Sequence, residues 1–186
     1  MTDREIILNA LPDPIGGDVP KIFSRPRAES ADGWELFEKR FSELGGRIVR
    51  LHELQNLATK SWLVDEDARG FVRHLNYQTA NEIWEAEVGV TVADCAVAET
   101  GSLLIRAAHG RRRMASLAPP LHVAFVKETA IVETLDEAMP LAAGRTSVII
   151  TGPSRTADIA GTLIRGVHGP GEVWVIRCDE QSDQRS

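Results

Sequence analysis

The sequence is poor in residues that hold metal clusters. Its 186 residues include only two cysteines, Cys95 and Cys178, which are far apart and lie in apolar stretches typical of strands. No CxxC pair and no Cys/His cluster has the spacing of a zinc site or an iron–sulfur site. We therefore expect this chain alone to hold no metal and no cofactor, and we expect its thiols to be reduced.

Long apolar runs and excess positive charge are also missing. No apolar run approaches the roughly 18 residues of a membrane span, and the first residues lack a signal-peptide pattern. The 21 Lys and Arg residues are outnumbered by 27 Asp and Glu residues, which gives a formal net charge of −6. This charge argues against broad binding to nucleic acids or anionic membrane surfaces. These features predict a soluble cytoplasmic protein.

Three common motifs are absent as well. The sequence has no GK[ST] phosphate-binding loop, no GxGxxG dinucleotide fingerprint and no GxSxG nucleophile elbow. Ser154, Asp158 and His168 supply the groups of a hydrolase triad, but without the elbow nothing marks Ser154 as a nucleophile. Nucleotide binding and serine hydrolysis therefore have no support from motifs.

Length and composition predict one main domain, because 186 residues can bury a substantial core. Residues 1–30 are predicted to form a short N-terminal helix and an arm rich in proline and glycine. Residues 31–180 form the predicted α/β domain, and residues 181–186 form a polar tail.

Within the main domain, short apolar strands alternate with helices. The spacing of Trp34, Phe37, Phe41 and Leu44 predicts an amphipathic helix. Helices are predicted at 32–44, 54–58, 67–75, 135–141 and 156–164, and strands at 47–51, 62–64, 95–98, 102–105, 123–126, 130–132, 148–150 and 173–176. This alternation predicts an α/β fold with a mostly parallel sheet covered on both faces. The short connection 99–102 predicts an antiparallel hairpin, so we expect a mixed sheet.

The first polar turn whose residues could bind a ligand or take part in catalysis is formed by Glu99, Thr100, Gly101 and Ser102. It places a carboxylate, two hydroxyls and a permissive glycine between two predicted strands, a set that could bind a polar ligand or perform acid–base work. The alternative is a turn whose hydroxyls bind its own backbone. The residues alone favour this structural alternative.

A second polar group lies at 109–122. His109 precedes Arg111–Arg113, and Pro119-Pro120 brings His122 to the start of a predicted strand. Arginines beside histidine can hold a carboxylate or phosphate through paired hydrogen bonds. The alternatives are that the arginines lie in a solvated loop and that His122 is packed in the core.

A third polar group, TGPSRTAD, occupies 151–158 between a predicted strand and a predicted helix. The hydroxyl of Thr151 opens it. Backbone N–H groups after Gly152 could form an anion-binding concavity at the start of that helix, and Arg155 would add positive charge.

The third group also has a structural alternative with equal support. Ser154 or Thr156 could cap the predicted helix, and Asp158 would lie favourably in its first turn. A second polar loop with His168 and Gly169 follows closely in the sequence. Two such loops so close together are harder to explain by capping alone.

Together these motifs resemble the LUD (lactate utilization domain) family, and within it the lactate utilization protein C branch. The matching motifs are ETGS at 99–102, LAPPLH at 117–122, TGPSRTADI at 151–159 and GVHGP at 166–170. They occur in the family's order over residues 88–178. The combination of TGPSRTADI with GVHGP is specific, whereas the TG and PP elements alone are not.

The resemblance implies a three-layer α/β/α fold similar to the sugar-phosphate isomerase and CoA-transferase superfamily. It also implies work alongside two other proteins, one bearing iron–sulfur clusters, in the oxidation of L-lactate to pyruvate. Because this chain has no cluster motif, we expect an accessory or regulatory component with iron–sulfur lactate-utilization partner proteins. We expect no nucleic-acid or membrane partner, and a homo-oligomer is compatible with the sequence.

The expected ligand is a small anionic metabolite bound between 99–102, 109–122 and 151–170. Glu99 and His122 are the candidate catalytic residues. The candidate ligand-binding residues are Thr100, Gly101, His109, Thr151, Gly152, Ser154, Arg155, Thr156, Asp158, His168 and Gly169. Two alternatives stay open: a stand-alone transferase or isomerase that uses Glu99, and a scaffold that docks the iron–sulfur protein.

Overall fold

The computed structural model describes residues 32–108, 113–157 and 163–178. The predicted N-terminal segment 1–30 and the predicted polar tail 181–186 lie outside these ranges. Within them, no helix is long and apolar enough to cross a membrane.

The described residues form three α-helices, several 3₁₀ helices and twelve short strands. The helices are α1 (Gly33–Glu43), α2 (Arg69–Val72) and α3 (Leu135–Ala142), with 3₁₀ helices at Leu51–Leu57, Glu66–Ala68, Ile83–Glu85, Arg113–Ser116 and Glu128–Ala130. The strands are β1 (Arg47–Ile48), β2 (Ser61–Val64), β3 (Gln78–Thr79), β4 (Val88–Val92), β5 (Cys95–Val97), β6 (Ser102–Arg106), β7 (Leu121–Lys127), β8 (Ile131–Val132), β9 (Ser147–Ile150), β10 (Arg155–Ala157), β11 (Leu163–Arg165) and β12 (Glu172–Cys178).

Helix α1 confirms the predicted amphipathic helix. Asp32 caps its start, because the carboxylate accepts a hydrogen bond of 3.2 Å from the backbone N–H of Trp34. Trp34, Phe37 and Phe41 are buried at helical spacing. The helix therefore packs onto the sheet through one aromatic face.

Six strands form a central sheet in the order β1-β12-β7-β4-β2-β3. Every neighbouring pair in this sheet is parallel. The predicted α/β class with a mostly parallel sheet is confirmed.

Each face of the central sheet packs against its own hydrophobic core. On one face, Val90, Val123 and Phe125 pack with residues of the 3₁₀ helix Leu51–Leu57 and of α2. On the other face, Ala124 and Val175 pack with the aromatic residues of α1 and with strands β5 and β6. Because both faces are covered, β4 is buried along its whole length and β7 is buried up to its last residue.

The central strand β4 was missed by the sequence analysis. All five of its residues are buried, but Gly89 interrupts the β-branched run and lowers its strand propensity. A Cβ at Gly89 would collide with the carbonyl oxygen of Ala115. The glycine is therefore required by a close backbone approach and does not mark a turn.

A second sheet contains the predicted antiparallel hairpin. Its order is β8-β5-β6-β9, and β5 pairs antiparallel with β6 around the turn at 99–101. Helix α3 packs onto its outer face, where Ala138 lies against Cys95, Val97 and Leu104. The second sheet is mixed, because β5 pairs parallel with β8 and β6 pairs antiparallel with β9.

The helix predicted over 156–164 is wrong. Residues Arg155–Ala157 form β10, which pairs antiparallel with β11 at Leu163–Arg165, and Thr156 lies opposite Ile164. These β-branched residues favour an extended backbone over a helix. Residues 158–162, between the two strands, lie outside the described part of the chain.

Candidate functional site

The turn between β5 and β6 places Glu99 at the start of α3. A carboxylate oxygen of Glu99 accepts a hydrogen bond of 2.8 Å from the backbone N–H of Leu135, the first residue of α3. The backbone N–H of Glu99 donates to the carbonyl of Glu133 at 3.0 Å. This half-buried carboxylate therefore satisfies a helix N–H that would otherwise lack a partner. A catalytic role for Glu99 stays a prediction.

The same turn packs tightly against α1. Gly101 has a φ of 63°, and a Cβ there would lie 2.5 Å from the backbone nitrogen of Phe41. Only glycine combines this left-handed conformation with such a close approach. The hydroxyl of Thr100 is buried and has no hydrogen-bond partner among the described residues, so it keeps hydrogen-bonding capacity.

The segment at 151–155 reaches the C-terminal end of α1. Thr151 and Ser102 share a side-chain hydrogen bond of 2.8 Å. Gly152 has a φ of 95°, and a Cβ there would lie 3.1 Å from Cβ of Leu44. The guanidinium of Arg155 donates to the carbonyl of Leu44 at 2.5 Å, where the helix dipole favours positive charge.

The loop at 166–170 joins this arrangement through Ser154. The backbone N–H of Ser154 donates to the carbonyl of Pro170 at 2.8 Å, and the N–H of Gly166 donates to the carbonyl of Ser154 at 3.1 Å. Gly169 faces Ser154, while His168 is exposed. The turn at 99–102, the segment at 151–155 and this loop form what we call the signature cluster.

The helix start expected after Gly152 does not exist, because β10 occupies 155–157. The concavity of free N–H groups expected there, and its alternative of a capped helix, both lose their basis. The N–H of Ser154 is already bound to Pro170. What the segment exposes is the guanidinium of Arg155 and the side chain of Thr151.

His122 lies apart from these groups, inside the central sheet. It is fully buried in β7, and its Nε2 shares a hydrogen bond of 2.9 Å with the hydroxyl of Thr91. Burial lowers the pKa of His122 to about 3, so the ring is neutral at physiological pH. This position agrees with the alternative that His122 is packed in the core. Proton transfer by His122 stays a prediction.

Four other candidate residues lie outside the described part of the chain, namely His109, Arg111, Arg112 and Asp158. The backbone of Thr156 belongs to β10. Arg113 is exposed at the start of a 3₁₀ helix. The polar segments connect strands that belong to three different sheets.

The described residues offer no metal site. Among them, no group of three or more His, Cys, Asp or Glu side chains lies close enough to hold an ion. Cys95 and Cys178 are both buried, and neither is in a disulfide bond. Burial raises the pKa of Cys95 to about 11, so this thiol is protonated at physiological pH.

A cleft that the sequence analysis missed lies where β7 and β12 end. It has a volume of about 390 Å³ and is lined by the start of α1, Ile131 and an ion pair between Glu128 and Arg177. The guanidinium of Arg177 lies 5.1 Å from the ring centroid of Trp34. The sequence could have indicated this cleft, because ligands of α/β proteins bind preferentially at the carboxyl ends of parallel strands.

Comparisons with known proteins connect the fold to a family. The family model described as LUD domain matches residues 31–176. Lactate utilization protein C from Bacillus licheniformis is 31% identical over 153 residues, which cover 77% of this chain and 61% of that protein. Lactate utilization protein C from Bacillus subtilis is 30% identical over 142 residues, which cover 72% of this chain and 56% of that protein.

A solved structure agrees with the fold. The crystal structure of a DUF162 family protein from Deinococcus radiodurans matches with a TM-score of 0.60 at 23% identity, over 82% of this chain and 98% of that chain. The chain spans about three-fifths of the length of the Bacillus licheniformis relative. Since the family model covers most of the chain, the chain belongs to the LUD domain family.

Proposed function

We propose that this chain works in lactate utilization, as an accessory component of a system that oxidises L-lactate to pyruvate with an iron–sulfur partner protein. The observation that carries this proposal is its 31% identity over 153 residues to a lactate utilization protein C. The family match over 31–176 also contains every segment of the signature cluster.

The proposed ligand is a small anionic metabolite bound at the signature cluster. One guanidinium nitrogen of Arg155 is bound to Leu44, and a guanidinium has five N–H donors in all, so others can face an anion. The exposed Thr151 lies on the same segment as this arginine, and the loop with the exposed His168 is hydrogen-bonded to the neighbouring Ser154. A carboxylate here would accept charge-assisted hydrogen bonds.

Growth and binding together test the proposal. A strain that lacks this chain should fail to grow on L-lactate, and wild-type protein should restore growth, whereas Arg155→Ala should not. Calorimetric titration with lactate, pyruvate and sugar phosphates should show binding to the wild type, weakened about tenfold or more in Arg155→Ala.

The matched control is Arg145→Ala, which removes an exposed arginine before β9 and should leave growth and binding unchanged. Thermal unfolding of each variant separates lost binding from lost folding, because Arg155 also caps α1. Binding of no tested anion, with full growth of the Arg155→Ala strain, would refute the proposal.

A further inference from the structure

Strand β9 leaves one edge of the second sheet open. It is the last strand in the order β8-β5-β6-β9, and no strand among the described residues pairs with its outer edge. The other edge strands of the two larger sheets, β1, β3 and β8, have only two residues each, and so short an edge offers little for a further strand to pair with. Strand β9 has four residues, so it is the longest open edge in the described part of these sheets.

The hydrogen bonds of β9 show which of its backbone groups face outward. The N–H of Ala107 donates to the carbonyl of Thr146 at 2.8 Å, next to the first pair of the β6–β9 ladder. Because the backbone groups of an antiparallel strand alternate between its two sides, the even-numbered residues of β9 bond to β6. The N–H and carbonyl groups that point to the open edge belong to Ser147, Ile149 and Thr151.

The open edge also has the side chains of a strand that pairs. Ile149 is 43% exposed and lies opposite Leu104, on the face that α3 covers. Residues 146–151 contain no charge and no proline, which are the usual protections of an open edge. No Asp or Glu occurs from 138 to 157, although the chain has a net charge of −6. Two copies of this stretch therefore approach each other without repulsion between acidic side chains.

We infer that β9 pairs antiparallel with β9 of a second copy of this chain, about a two-fold axis at Ile149. In this register Ile149 lies opposite its own copy and Ser147 lies opposite Thr151. Every outward N–H and carbonyl from 147 to 151 then has a partner. The two Ile149 side chains pack together at the axis and are removed from water, and two four-stranded sheets become one sheet of eight strands.

A second copy fits this edge better than a different protein does. The three outward-facing residues are spaced evenly about Ile149, so a two-fold axis matches the edge to itself in length and in hydrogen-bonding pattern. A different protein would have to bring an open, uncharged edge of the same length. Because the pairing uses the same edge of both copies, it closes on itself, and assembly stops at a dimer.

The test measures the mass of the intact chain by analytical ultracentrifugation at about 1 to 100 μM. At the upper concentrations the wild type should have twice the mass of the 20.4 kDa chain. Ile149→Lys places two like charges at the axis and should raise the Kd of the dimer about a hundredfold or more, whereas Ile149→Val should stay dimeric. The matched control is Leu117→Lys, which adds the same charge at another apolar side chain, 39% exposed, and should stay dimeric.

A thiol cross-linker checks the position of the axis. Ile149→Cys places one thiol of each copy at the axis, where directly opposite Cβ atoms lie about 5 Å apart, so a short bismaleimide should link the two copies. Leu117→Cys should not be linked, and the native Cys95 and Cys178 are buried. Thermal unfolding shows that each variant is folded.

Each contrary result would overturn the inference. A wild type with the mass of one chain at about 100 μM would refute the dimer. A dimer that Ile149→Lys leaves intact, or that Ile149→Cys does not cross-link, would place the contact on another surface. None of these results bears on lactate utilization, because the inference rests on the edge strand and not on the proposed function, which growth on L-lactate tests separately.

Discussion

The central sheet and the signature cluster are stabilised in different ways. In β4 all five residues are buried, and in β7 only the last is not, so apolar burial dominates there. The signature cluster depends on individual hydrogen bonds, such as Ser102 to Thr151 and Ser154 to Pro170. Packing errors in a core cost more than the loss of one partly exposed hydrogen bond. The central sheet should therefore respond more strongly to single substitutions.

The largest effect is expected at Gly89. Gly89→Ala adds a Cβ that collides with the carbonyl of Ala115, which should lower the free energy of unfolding by about 3 kcal/mol. Urea unfolding measures this change. The control is Gly144→Ala, where φ is 70° but no atom lies within 4 Å of the added Cβ, and a loss of about 1 kcal/mol is expected. Equal losses at the two glycines would contradict the close approach.

The second effect is a pH dependence caused by His122. The folded state holds the pKa of His122 near 3, below its value of about 6.5 in the unfolded chain. Below about pH 6.5 the imidazole of His122 is protonated in the unfolded chain but stays neutral in the folded chain. The free energy of unfolding therefore falls as the pH drops below about 6.5. The expected loss is about 2 kcal/mol at pH 5.

Unfolding curves between pH 7.5 and 4.5, at pH steps of about 0.5, check this dependence against two variants. His122→Gln should be less stable at neutral pH and should lose much of the pH slope. His74→Gln replaces an exposed histidine and should keep the slope. Parallel curves for the wild type and His122→Gln would show that another group causes the acid sensitivity.

The smallest effect is expected in the signature cluster, at Glu99. Glu99→Ala removes the acceptor for the N–H of Leu135 and should lower the free energy of unfolding by about 1 kcal/mol. Glu99→Gln keeps an acceptor oxygen and should be nearly as stable as the wild type. Thermal unfolding compares the two variants. If Glu99→Gln keeps its stability but abolishes lactate-dependent growth, Glu99 has a chemical role beyond the start of α3.

The same contrast explains what the sequence could predict. Apolar runs such as 123–126 and 173–176 predicted central strands, because burial on both faces leaves a strong pattern. Strand β4 was missed because the reason for Gly89, the carbonyl of Ala115, comes from a distant segment. The predicted helix at 156–164 was wrong because polar turn residues mimicked a helix cap where the backbone pairs as β10 and β11.

For the candidate site, too, the sequence predicted the local motifs but not the contacts between distant segments. The motifs identified the turn at 99–102, the segment at 151–155 and the loop at 166–170, which do meet in space. The sequence left open that His122 is packed in the core, as it is. The motifs did not reveal that Arg155 would bind the carbonyl of Leu44. This contact joins segments far apart in sequence, and no local pattern encodes it.

The side chain of Trp84, on the 3₁₀ helix Ile83–Glu85 before β4, is 81% exposed. Its fluorescence can therefore report on this part of the surface. With Trp34 and Trp62 buried and Trp174 partly covered, a soluble quencher such as acrylamide reaches the Trp84 indole most freely. The quenchable part of the intrinsic fluorescence therefore comes mainly from one known position beside β4. Any event that covers this surface can be followed by emission, without attaching a dye.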